Sequence, residues 1–309
     1  MPDVRQIAVT GANGFIGSAL VHTALQRGIA VRALCRTPSP DADALARAGA
    51  TVIFGDLNDG DALDTLCNGV DAIVHAAAFM GKTDAALSED VNVVGTQNVL
   101  EAATRGSVKR CVYISSISVY RGTETPNRIF DETVEPHLAE NLNHYSRTKL
   151  IGEHRVSAYC RDRPLEYTIV RPTNVYGPGC RPWGTEVEKL VQRYHVCFGR
   201  IAFNFVHIDD LVDGLLLTTR HENAVGESFN LGAETLELRR FHRYIAQQQR
   251  VKTFDVPQPI DHLIRHGIDF YGRLSGEIRS TGYTQLFSYP HRKAHTLLGY
   301  QPRHLIASS

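Results

Sequence analysis

The strongest constraint on the fold is a glycine-rich turn at residues 10–17, which separates an apolar run from a helical pattern. The turn reads Thr-Gly-Ala-Asn-Gly-Phe-Ile-Gly and follows the apolar residues 7–9. Gly11 permits a tight turn, Gly14 lets the backbone approach a pyrophosphate, and Gly17 lets the helix pack closely on the strand. Strand, turn and helix in this order predict a dinucleotide site, with the anion at the helix N-terminus.

Strand and helix patterns alternate along the rest of the chain. The later predicted strands are 31–35, 51–54, 72–75, 110–114 and 167–171. This alternation favours an α/β fold with a Rossmann-type, doubly wound parallel sheet, whose ligands bind at the carboxyl ends of the strands. The pattern loosens after residue 178, so we expect a smaller, discontinuous C-terminal substrate lobe. The predicted dinucleotide-binding domain is 1–177 with 204–232, and the predicted lobe is 178–203 with 233–309.

Two positions downstream bear on the choice of dinucleotide. Arg36 lies about 20 residues after the glycine turn, where an NAD site usually offers Asp or Glu to the adenosine ribose. An arginine suits a 2′-phosphate instead, so NADP is slightly favoured, although a surface arginine in a loop gives the same pattern. Asp56 follows the strand 51–54 and is placed either to accept a hydrogen bond from the adenine amino group or to cap a helix.

Tyr145 and Lys149 stand four residues apart in a helical pattern, which puts a phenol beside an ammonium group. A nearby cation favours the phenolate, so Tyr145 becomes able to exchange a proton near neutral pH. A free phenol, with a pKa of about 10, does this poorly. The spacing alone also fits a solvated helix face. The glycine turn upstream favours the catalytic interpretation.

A series of short blocks stands in the order typical of one family. They are TGANGFIG at 10–17, GDL at 55–57, HAAA at 75–78, VNVVGTQNVL at 91–100, SSISVY at 115–120, YSRTK at 145–149, RPTNVYGPG at 171–179, FVHIDDLVDGLLL at 205–217 and FNLG at 229–232. In these blocks the chain resembles the extended short-chain dehydrogenases/reductases, often labelled NAD-dependent epimerases/dehydratases. The resemblance covers nearly the whole chain.

The resemblance implies a catalytic set of Ser116, Tyr145 and Lys149. Tyr145 would move the proton of a substrate hydroxyl or carbonyl, Lys149 would lower its pKa and hold the nicotinamide ribose, and Ser116 would bind the same oxygen. Hydride would pass to or from the nicotinamide. The implied NAD(P) contacts are Gly11, Asn13, Gly14, Phe15, Ile16, Gly17, Arg36, Asp56, Leu57, Ala76, Ala77, Ala78 and Asn92, with Tyr145 and Lys149. Asn92 also fits a polar residue at a helix N-terminus.

The residues after Ser116 narrow the reaction. The family's sugar 4,6-dehydratases carry an Asp-Glu pair there for the elimination of water, whereas this chain has Ile117 and Ser118. Dehydration is therefore disfavoured. Hydride transfer remains, either as a one-way oxidation or reduction or as an epimerisation in which the hydride returns on the other face.

The substrate positions point in two directions. Asn174 matches the asparagine that sugar-nucleotide members use to hold their ligand, which favours a sugar nucleotide or related sugar and a 4-epimerase or 4-ketoreductase. Ser116 and Ser118 are the other expected substrate contacts. Many such members also have an arginine two residues before Phe205 for the phosphates, but here that position is Phe203. A bidentate phosphate donor is therefore missing there. The arginines available to compensate are Arg181, Arg200 and Arg279.

Two alternatives to a sugar enzyme stay open. The apolar stretch 197–203 resembles the family's reductases of sterol or flavonoid ketones, so a non-sugar ketone is the first alternative. The second is a dinucleotide-binding sensor without turnover, since this fold also occurs in non-catalytic proteins. Such sensors usually lose the serine, tyrosine or lysine of the site. This chain keeps all three, which favours an enzyme.

Charge and composition argue against several other classes of protein. The 33 basic and 33 acidic residues give a net charge of +0, which removes the electrostatic case for nucleic acid or an anionic membrane as partner. No apolar run approaches the ~20 residues of a membrane span, and no signal-peptide pattern precedes the first strand. We expect a cytoplasmic protein with a small-molecule substrate. A homodimer, formed through helices near 92–105 and 145–160, is implied by the resemblance alone.

The cysteines and histidines predict neither a disulfide framework nor a metal site. The six cysteines lack a CxxC pair and are expected to be reduced thiols. Two histidine pairs, His262 with His266 and His291 with His295, are spaced to share a helix face, but no third ligand accompanies either pair. His207 is expected to hold structure near the substrate lobe.

Overall fold

The computed structural model describes residues 4–81, 84–121, 123, 129–139, 142–180, 184–263 and 287–306. Its main sheet contains seven strands. They are β1 Gln6–Thr10, β2 Ala30–Cys35, β3 Thr51–Phe54, β4 Ala72–His75, β5 Arg110–Ile114, β6 Glu166–Pro172 and, after three strands of other sheets, β10 Ser228–Leu231. All are parallel, in the order β10-β6-β5-β4-β1-β2-β3. The predicted bounds of β3, β4 and β5 are confirmed to the residue.

Helices pack on both faces of this sheet and beside the smaller strands. They are α1 Phe15–Gln26, α2 Pro40–Arg47, α3 Gly60–Cys67, α4 Ala85–Glu89, α5 Gly95–Arg105, α6 His144–Cys160, α7 Gly184–Tyr194, α8 Ile208–Arg220, α9 Leu238–Gln248 and α10 Arg292–Leu298. One buried cluster packs α1 and α8 against the sheet, for example through Leu20 and Leu215. A second packs α3, α5 and α6 on the opposite face, for example through Leu66, Leu100 and Val156. The predicted doubly wound α/β fold is confirmed.

Short strands form two smaller sheets beside the main one. In the first, β9 Ala202–His207 pairs parallel with β7 Asn174–Tyr176 and antiparallel with β11 Glu234–Glu237. In the second, β8 Val196–Cys197 pairs parallel with β12 Phe254–Asp255. β8, β11 and β12 lie in the ranges predicted for the substrate lobe, whereas β7 and most of β9 lie in the ranges predicted for the dinucleotide-binding domain.

The last described helix returns to the large sheet. Ala294 and Leu298 of α10 belong to the same buried cluster as α1 and α8. The predicted division of the chain into two domains stays a prediction. Within the described ranges, no helix is both long enough and apolar enough to cross a membrane. All six cysteines lie in these ranges, and none of them forms a disulfide there.

The strand order fixes where a ligand can bind. β1 lies between β2 on one side and β4 on the other, so the chain changes direction across the sheet at this point. In an open parallel sheet such a reversal leaves a crevice outside the carboxyl ends of the two strands. The glycine turn follows β1, and the alanine run at 76–78 follows β4, so both predicted cofactor segments border this crevice.

Candidate active site

The glycine turn packs directly against the segment that follows β4. Gly11 has φ = +63°, and a Cβ atom on it would lie 2.7 Å from the Cα atom of Ala77. A Cβ atom on Gly17 would lie 2.2 Å from the carbonyl oxygen of Gly11. Gly14 is the N-cap of α1 and makes no side-chain capping bond, so backbone amides form this helix end, which suits an anion. The other predicted contacts on these segments are Asn13, Phe15, Ile16, Ala76 and Ala78.

A buried histidine outside the predicted site ties this turn to α5. His75, at the end of β4, has Nδ1 2.7 Å from Thr10 Oγ1 and Nε2 3.0 Å from Thr96 Oγ1. The Thr10 hydroxyl also accepts a hydrogen bond from the amide of Ala77 at 3.2 Å. Burial lowers the pKa of His75 to about 3, so the ring is neutral. His75 thus connects the ends of β1 and β4 to α5. The only sequence signal for this role is its position directly before the alanine run.

Asn92 lies in a π turn, Asp90–Val94, that joins α4 to α5. Its Oδ1 accepts a bond from the amide of Phe79 at 2.8 Å, and its Nδ2 donates to the Phe79 carbonyl at 3.0 Å and to Thr148 Oγ1 at 3.0 Å. Asn92 therefore fixes the backbone after the alanine run and connects it to α6. The alternative of a helix N-terminal residue is wrong, because the helical run continues on both sides of it.

The predicted adenosine end lies at the carboxyl ends of β2 and β3. Arg36 is exposed just after β2, and Asp56 is exposed just after β3, with Leu57 buried beside it. Asp56 Oδ1 accepts a bond from the amide of Asn58 at 2.8 Å, whereas Asp59 caps α3. The alternative role of Asp56 as a helix cap is therefore wrong. The cofactor contacts of Arg36, Asp56 and Leu57 stay predictions.

The three predicted catalytic residues meet where β5 and α6 adjoin. Ser116 stands two residues after β5, and α6 begins one residue before Tyr145. The helix starts there because the side chain of Asn143 accepts a bond from the Ser146 amide at 2.8 Å. The Ser116 hydroxyl lies near enough to the Tyr145 hydroxyl to lower its pKa. Two hydroxyl groups are thus available to one substrate oxygen.

Lys149 lies one helical turn beyond Tyr145 and is 2% exposed. Its Nζ donates to the carbonyl oxygen of Ile114 at 2.7 Å and lies 4.8 Å from the centroid of the Tyr113 ring. The ammonium group is therefore held by a carbonyl dipole and an aromatic face at the end of β5.

Burial dominates the electrostatics of Tyr145 and Lys149. It raises the pKa of Tyr145 to about 12, against smaller lowering effects of the nearby Ser116 hydroxyl and the Arg121 charge. It also lowers the pKa of Lys149 to about 7, partly offset by the charge of Glu153. The expected acidification of Tyr145 by Lys149 is outweighed in the protein alone, because burial penalises both charged forms. Tyr145 is accordingly a neutral hydroxyl donor at pH 7.

Besides Ser116, the predicted substrate residues are Ser118 and Asn174, which differ in whether their side chains are already hydrogen-bonded. The Ser118 amide donates to Ser116 Oγ at 3.1 Å, and the Ser118 hydroxyl is buried without a hydrogen-bond partner in the described part of the chain. Asn174 opens β7, and its side-chain amide donates to the Asn204 carbonyl at 2.8 Å. Ser118 thus offers an unused polar group beside the catalytic serine, whereas Asn174 fastens β7 to β9.

The position where sugar-nucleotide members carry an arginine belongs to an apolar cluster. Phe203 stacks on Phe205, with ring centroids 6.2 Å apart. Of the arginines proposed to compensate, Arg200 is half-buried and its Nε has no partner within the described ranges. Arg181 and Arg279 lie outside the described residues.

A cavity of about 350 Å³ lies beside β9 and β11. The residues that line it include Asn204, Glu234, Thr235, Tyr289, Arg292 and His295. None of Ser116, Tyr145 and Lys149 lines it, so this cavity is separate from the catalytic residues.

One group of side chains has the composition of a metal site. The potential ligand atoms of His207, Asp209 and His304 lie within 4.8 Å of one another. His207 Nδ1 accepts a bond from the Asp209 amide at 3.3 Å, and His304 Nδ1 lies 2.9 Å from Asp210 Oδ1. His207 therefore caps α8, and the contact of His304 with Asp210 fastens the end of the described chain to that helix. This agrees with the structural role expected for His207. Of the two histidine pairs noted in the sequence, His262 with His266 is described only in part, because His266 lies outside the described residues.

Enzymes that use a dinucleotide commonly place its pyrophosphate at such a glycine turn and their reactive side chains at neighbouring strand ends. The present chain has the architecture of that class. Its residues 7–232 match the NAD dependent epimerase/dehydratase family. The chain belongs to this family, and the resemblance seen in its sequence blocks is confirmed.

Individual relatives differ in what they act on. The chain is 30% identical over 231 residues to 3-beta-hydroxysteroid dehydrogenase of Mycolicibacterium neoaurum, covering 71% of this chain and 62% of that protein. It is 37% identical over 216 residues to sterol demethylase protein B of Methylococcus capsulatus, covering 66% of this chain and 62% of that protein. The structure of MoeE5 in complex with UDP-glucuronic acid and NAD is similar with a TM-score of 0.77, at 26% identity, covering 97% of this chain and 95% of MoeE5.

Proposed function

We propose that this protein is an NAD(P)-dependent oxidoreductase that transfers hydride at a secondary alcohol or ketone carbon, with Tyr145 as the acid/base. The observation that carries the proposal is that Ser116 lies beside Tyr145, one helical turn from Lys149, at the strand ends that border the glycine turn. The NAD bound in MoeE5 supports a nicotinamide cofactor. NADP is favoured over NAD only by Arg36.

The roles of the side chains follow from their protonation states. A bound nicotinamide would supply or accept the hydride. Ser116 and Tyr145 bind the same substrate oxygen, and Tyr145, neutral because burial raises its pKa, donates its proton as a carbonyl is reduced. The charged form of Lys149 stabilises the phenolate that this transfer leaves behind. The protonation state of Tyr145 in the protein alone therefore favours reduction of a carbonyl over oxidation of an alcohol.

Two observations favour a ketone of low polarity as the substrate. Phe203 lies in an apolar cluster at the position where an arginine would bind phosphate, and the Asn174 amide is engaged by the backbone of β9. The similarity to a steroid dehydrogenase and to sterol demethylase protein B supports this choice. The sugar nucleotide predicted from the sequence becomes the second candidate, supported by the likeness to MoeE5 and by the unpartnered hydroxyl of Ser118.

A thermal-shift screen tests the substrate class. Steroid and aromatic ketones are compared with UDP-sugars in the presence of NADPH, because a ligand at 100 times its Kd stabilises the native state by about 2.7 kcal/mol. We expect ketones to raise the melting temperature. A shift with UDP-sugars alone would replace the ketone by the second candidate.

A pair of variants on α6 tests the catalytic assignment. Tyr145→Phe should bind NADPH within about twofold of wild type but reduce the ligand found in the screen at least about 100-fold more slowly. Tyr159→Phe is the matched control, because Tyr159 lies on the same helix and bonds Thr104 Oγ1 at 3.2 Å, away from the site. An unchanged rate in Tyr145→Phe, or the same loss in both variants, would refute the role of Tyr145.

A further inference from the structure

Three ionisable side chains are buried together beside the catalytic residues. Lys149 is 2% exposed, Glu153 is 3% exposed and Arg171 is 5% exposed. Two of them are bases and one is an acid. A buried charge without compensation is strongly unfavourable. The position of the single carboxylate therefore determines which of the two bases it stabilises in the charged form.

The carboxylate of Glu153 makes its direct contacts with Arg171. Arg171 Nε lies 2.9 Å from Glu153 Oε1, and Arg171 Nη2 lies 2.6 Å from Glu153 Oε2. Both oxygens are thus held in a bidentate ion pair of fixed geometry. The carboxylate is not free to turn and form a contact pair with Lys149.

Arg171 is itself fixed from two further elements. Its Nη1 donates to the hydroxyl oxygen of Tyr120 at 2.7 Å, and Tyr120 lies in the 3₁₀ turn Ile117–Tyr120 that follows Ser116. The Tyr120 hydroxyl lies 3.2 Å from Asn230 Oδ1 in β10. Asn230 in turn donates from Nδ2 to the Phe130 carbonyl at 2.8 Å. The position of the Glu153 carboxylate therefore depends on a network that joins α6, β6, the turn after Ser116 and β10.

Lys149 and Glu153 are both buried on α6. They are four residues apart, which places them on one side of the helix. Tyr113 lies against both: its ring is beneath the Lys149 ammonium, and its hydroxyl reaches the helix at Gly152. A Cβ atom on Gly152 would lie 2.1 Å from that hydroxyl oxygen, so glycine is what allows the tyrosine to fit. The charge of Glu153 acts on Lys149 without a direct contact.

The other titratable groups around Lys149 are uncharged at neutral pH. Burial lowers the pKa of His75, from β4, to about 3. It raises the pKa of Tyr113, from β5, well above its ordinary value, and that of Tyr145, on α6 itself, to about 12. The neighbours from α4 and the π turn, Ser88 and Asn92, are polar without titrating in this range. Within the described ranges, Glu153 is therefore the negative charge that faces Lys149, and Arg171 of β6 faces Glu153.

We propose that Glu153 is the counter-charge of Lys149 in the cofactor site, and that Arg171 holds the Glu153 carboxylate in that place. Both are positioning residues, which touch neither substrate nor cofactor. The proposal rests on the function proposed above, in which the charged form of Lys149 serves the cofactor and Tyr145. Without Glu153, burial would remove the proton from Lys149, and a neutral amine does not stabilise a phenolate.

Lysine NMR on the full chain tests this without any substrate. The sequence contains six lysines, so a sample with ¹³Cε-labelled lysine gives few signals, and loss of one in Lys149→Met assigns that of Lys149. In Glu153→Gln we expect the midpoint of the Lys149 titration to fall by about one pH unit relative to wild type.

Glu166→Gln is the matched control for this shift. It removes the carboxylate of another arginine pair, in which Arg110 Nε and Nη2 both donate to Glu166 Oε2 at 3.0 and 2.6 Å. That pair lies at the opposite ends of β5 and β6 from the catalytic residues, because Arg110 and Glu166 begin these strands. We expect no change in the Lys149 midpoint in this variant.

Each outcome decides the proposal. A Lys149 midpoint that stays within about 0.3 pH units of wild type in folded Glu153→Gln, or that shifts equally in Glu166→Gln, overturns it. If Glu153→Gln does not fold, the double variant Glu153→Gln/Arg171→Gln removes both charges of the pair and is scored by the same two criteria. Titration of wild type with NADH and NADPH tests the function separately. Absence of binding to both would refute the cofactor site while the NMR titration still decides whether Glu153 is the counter-charge.

Discussion

The predicted cofactor half of the site, which contains the glycine turn and the segment after β4, is built differently from the predicted substrate half, which contains β7 and β9. In the cofactor half the shape comes from backbone atoms in close contact, as at Gly11 and Gly17, where a Cβ atom would meet main-chain atoms of Ala77 and Gly11. In the substrate half the shape comes from side chains of distant segments, as where Asn174 bonds Asn204 and Phe203 packs on Phe205. Backbone contacts tolerate almost no substitution, whereas side-chain contacts can change one at a time. A family built in this way can keep its cofactor and vary its substrate.

The largest expected effect tests the rigidity of the cofactor half. In Gly17→Val the new Cβ atom would lie 2.2 Å from the Gly11 carbonyl oxygen, and a main-chain neighbour cannot rotate away. We expect at least about a 100-fold loss of NADH affinity and a loss of about 3 kcal/mol or more in the free energy of unfolding. Nicotinamide fluorescence and thermal unfolding measure the two effects.

Gly60→Ala is the control for that substitution. Gly60 is the first residue of α3, and a Cβ atom on it would meet no atom within 4 Å. Its free energy of unfolding should change by less than about 0.5 kcal/mol. If Gly17→Val bound NADH as tightly as Gly60→Ala does, the cofactor half would not owe its shape to the backbone.

The second prediction concerns the substrate half. Phe203→Ala should lose about 2 kcal/mol of unfolding free energy, because it removes a half-buried ring from the cluster with Phe205. It should weaken binding of the ketone while NADH affinity stays within about twofold of wild type. Phe254→Ala is the control, since Phe254 is 66% exposed. Equal losses of ketone and NADH affinity would mean that the two halves are not separable.

This contrast also explains what the sequence could predict. The glycine turn and the strands of the large sheet depend on contacts near in sequence or on apolar runs, so their positions followed from the pattern. The partners Arg171 and Glu153 are 18 positions apart, and Arg171 and Tyr120 are 51 apart. No periodicity predicts such pairs, because the tertiary fold alone brings them together. The same limit applies to Tyr145, whose spacing from Lys149 predicted an acidic phenol while burial raises its pKa.

The third prediction concerns Lys149, which lies between the two halves. Burial lowers its pKa in the folded chain to about 7 from an ordinary value of 10.5. Between these two values the unfolded chain binds a proton that the folded chain lacks, so the stability that this group contributes rises with pH across that window. Below about pH 7 the cost is fully present. Lys149→Met removes this cost and should raise the unfolding free energy by about 2 kcal/mol at pH 6.5, with a smaller gain at pH 9.5.

Thermal unfolding at the two pH values checks this prediction. Lys109→Met is the control, since Lys109 is exposed between α5 and β5 and should show neither the gain nor its dependence on pH. A gain in Lys149→Met that is as large at pH 9.5 as at pH 6.5 would mean that hydrophobic packing, and not the buried charge, is responsible.

The smallest expected effect lies at the open edge of the cofactor half. Arg36 is exposed at the end of β2 and, unlike the glycine turn, can act only through its side chain. If it binds a 2′-phosphate, Arg36→Ala should lose about tenfold in NADPH affinity, or about 1.4 kcal/mol, and less than about twofold in NADH affinity. Arg47→Ala, on the exposed side of α2, should change neither. Equal affinity of wild type for NADPH and NADH would show that Arg36 does not select the cofactor. That result is expected if the cofactor is bound only by the backbone-built part of this half, because the pyrophosphate predicted to lie there is common to both dinucleotides.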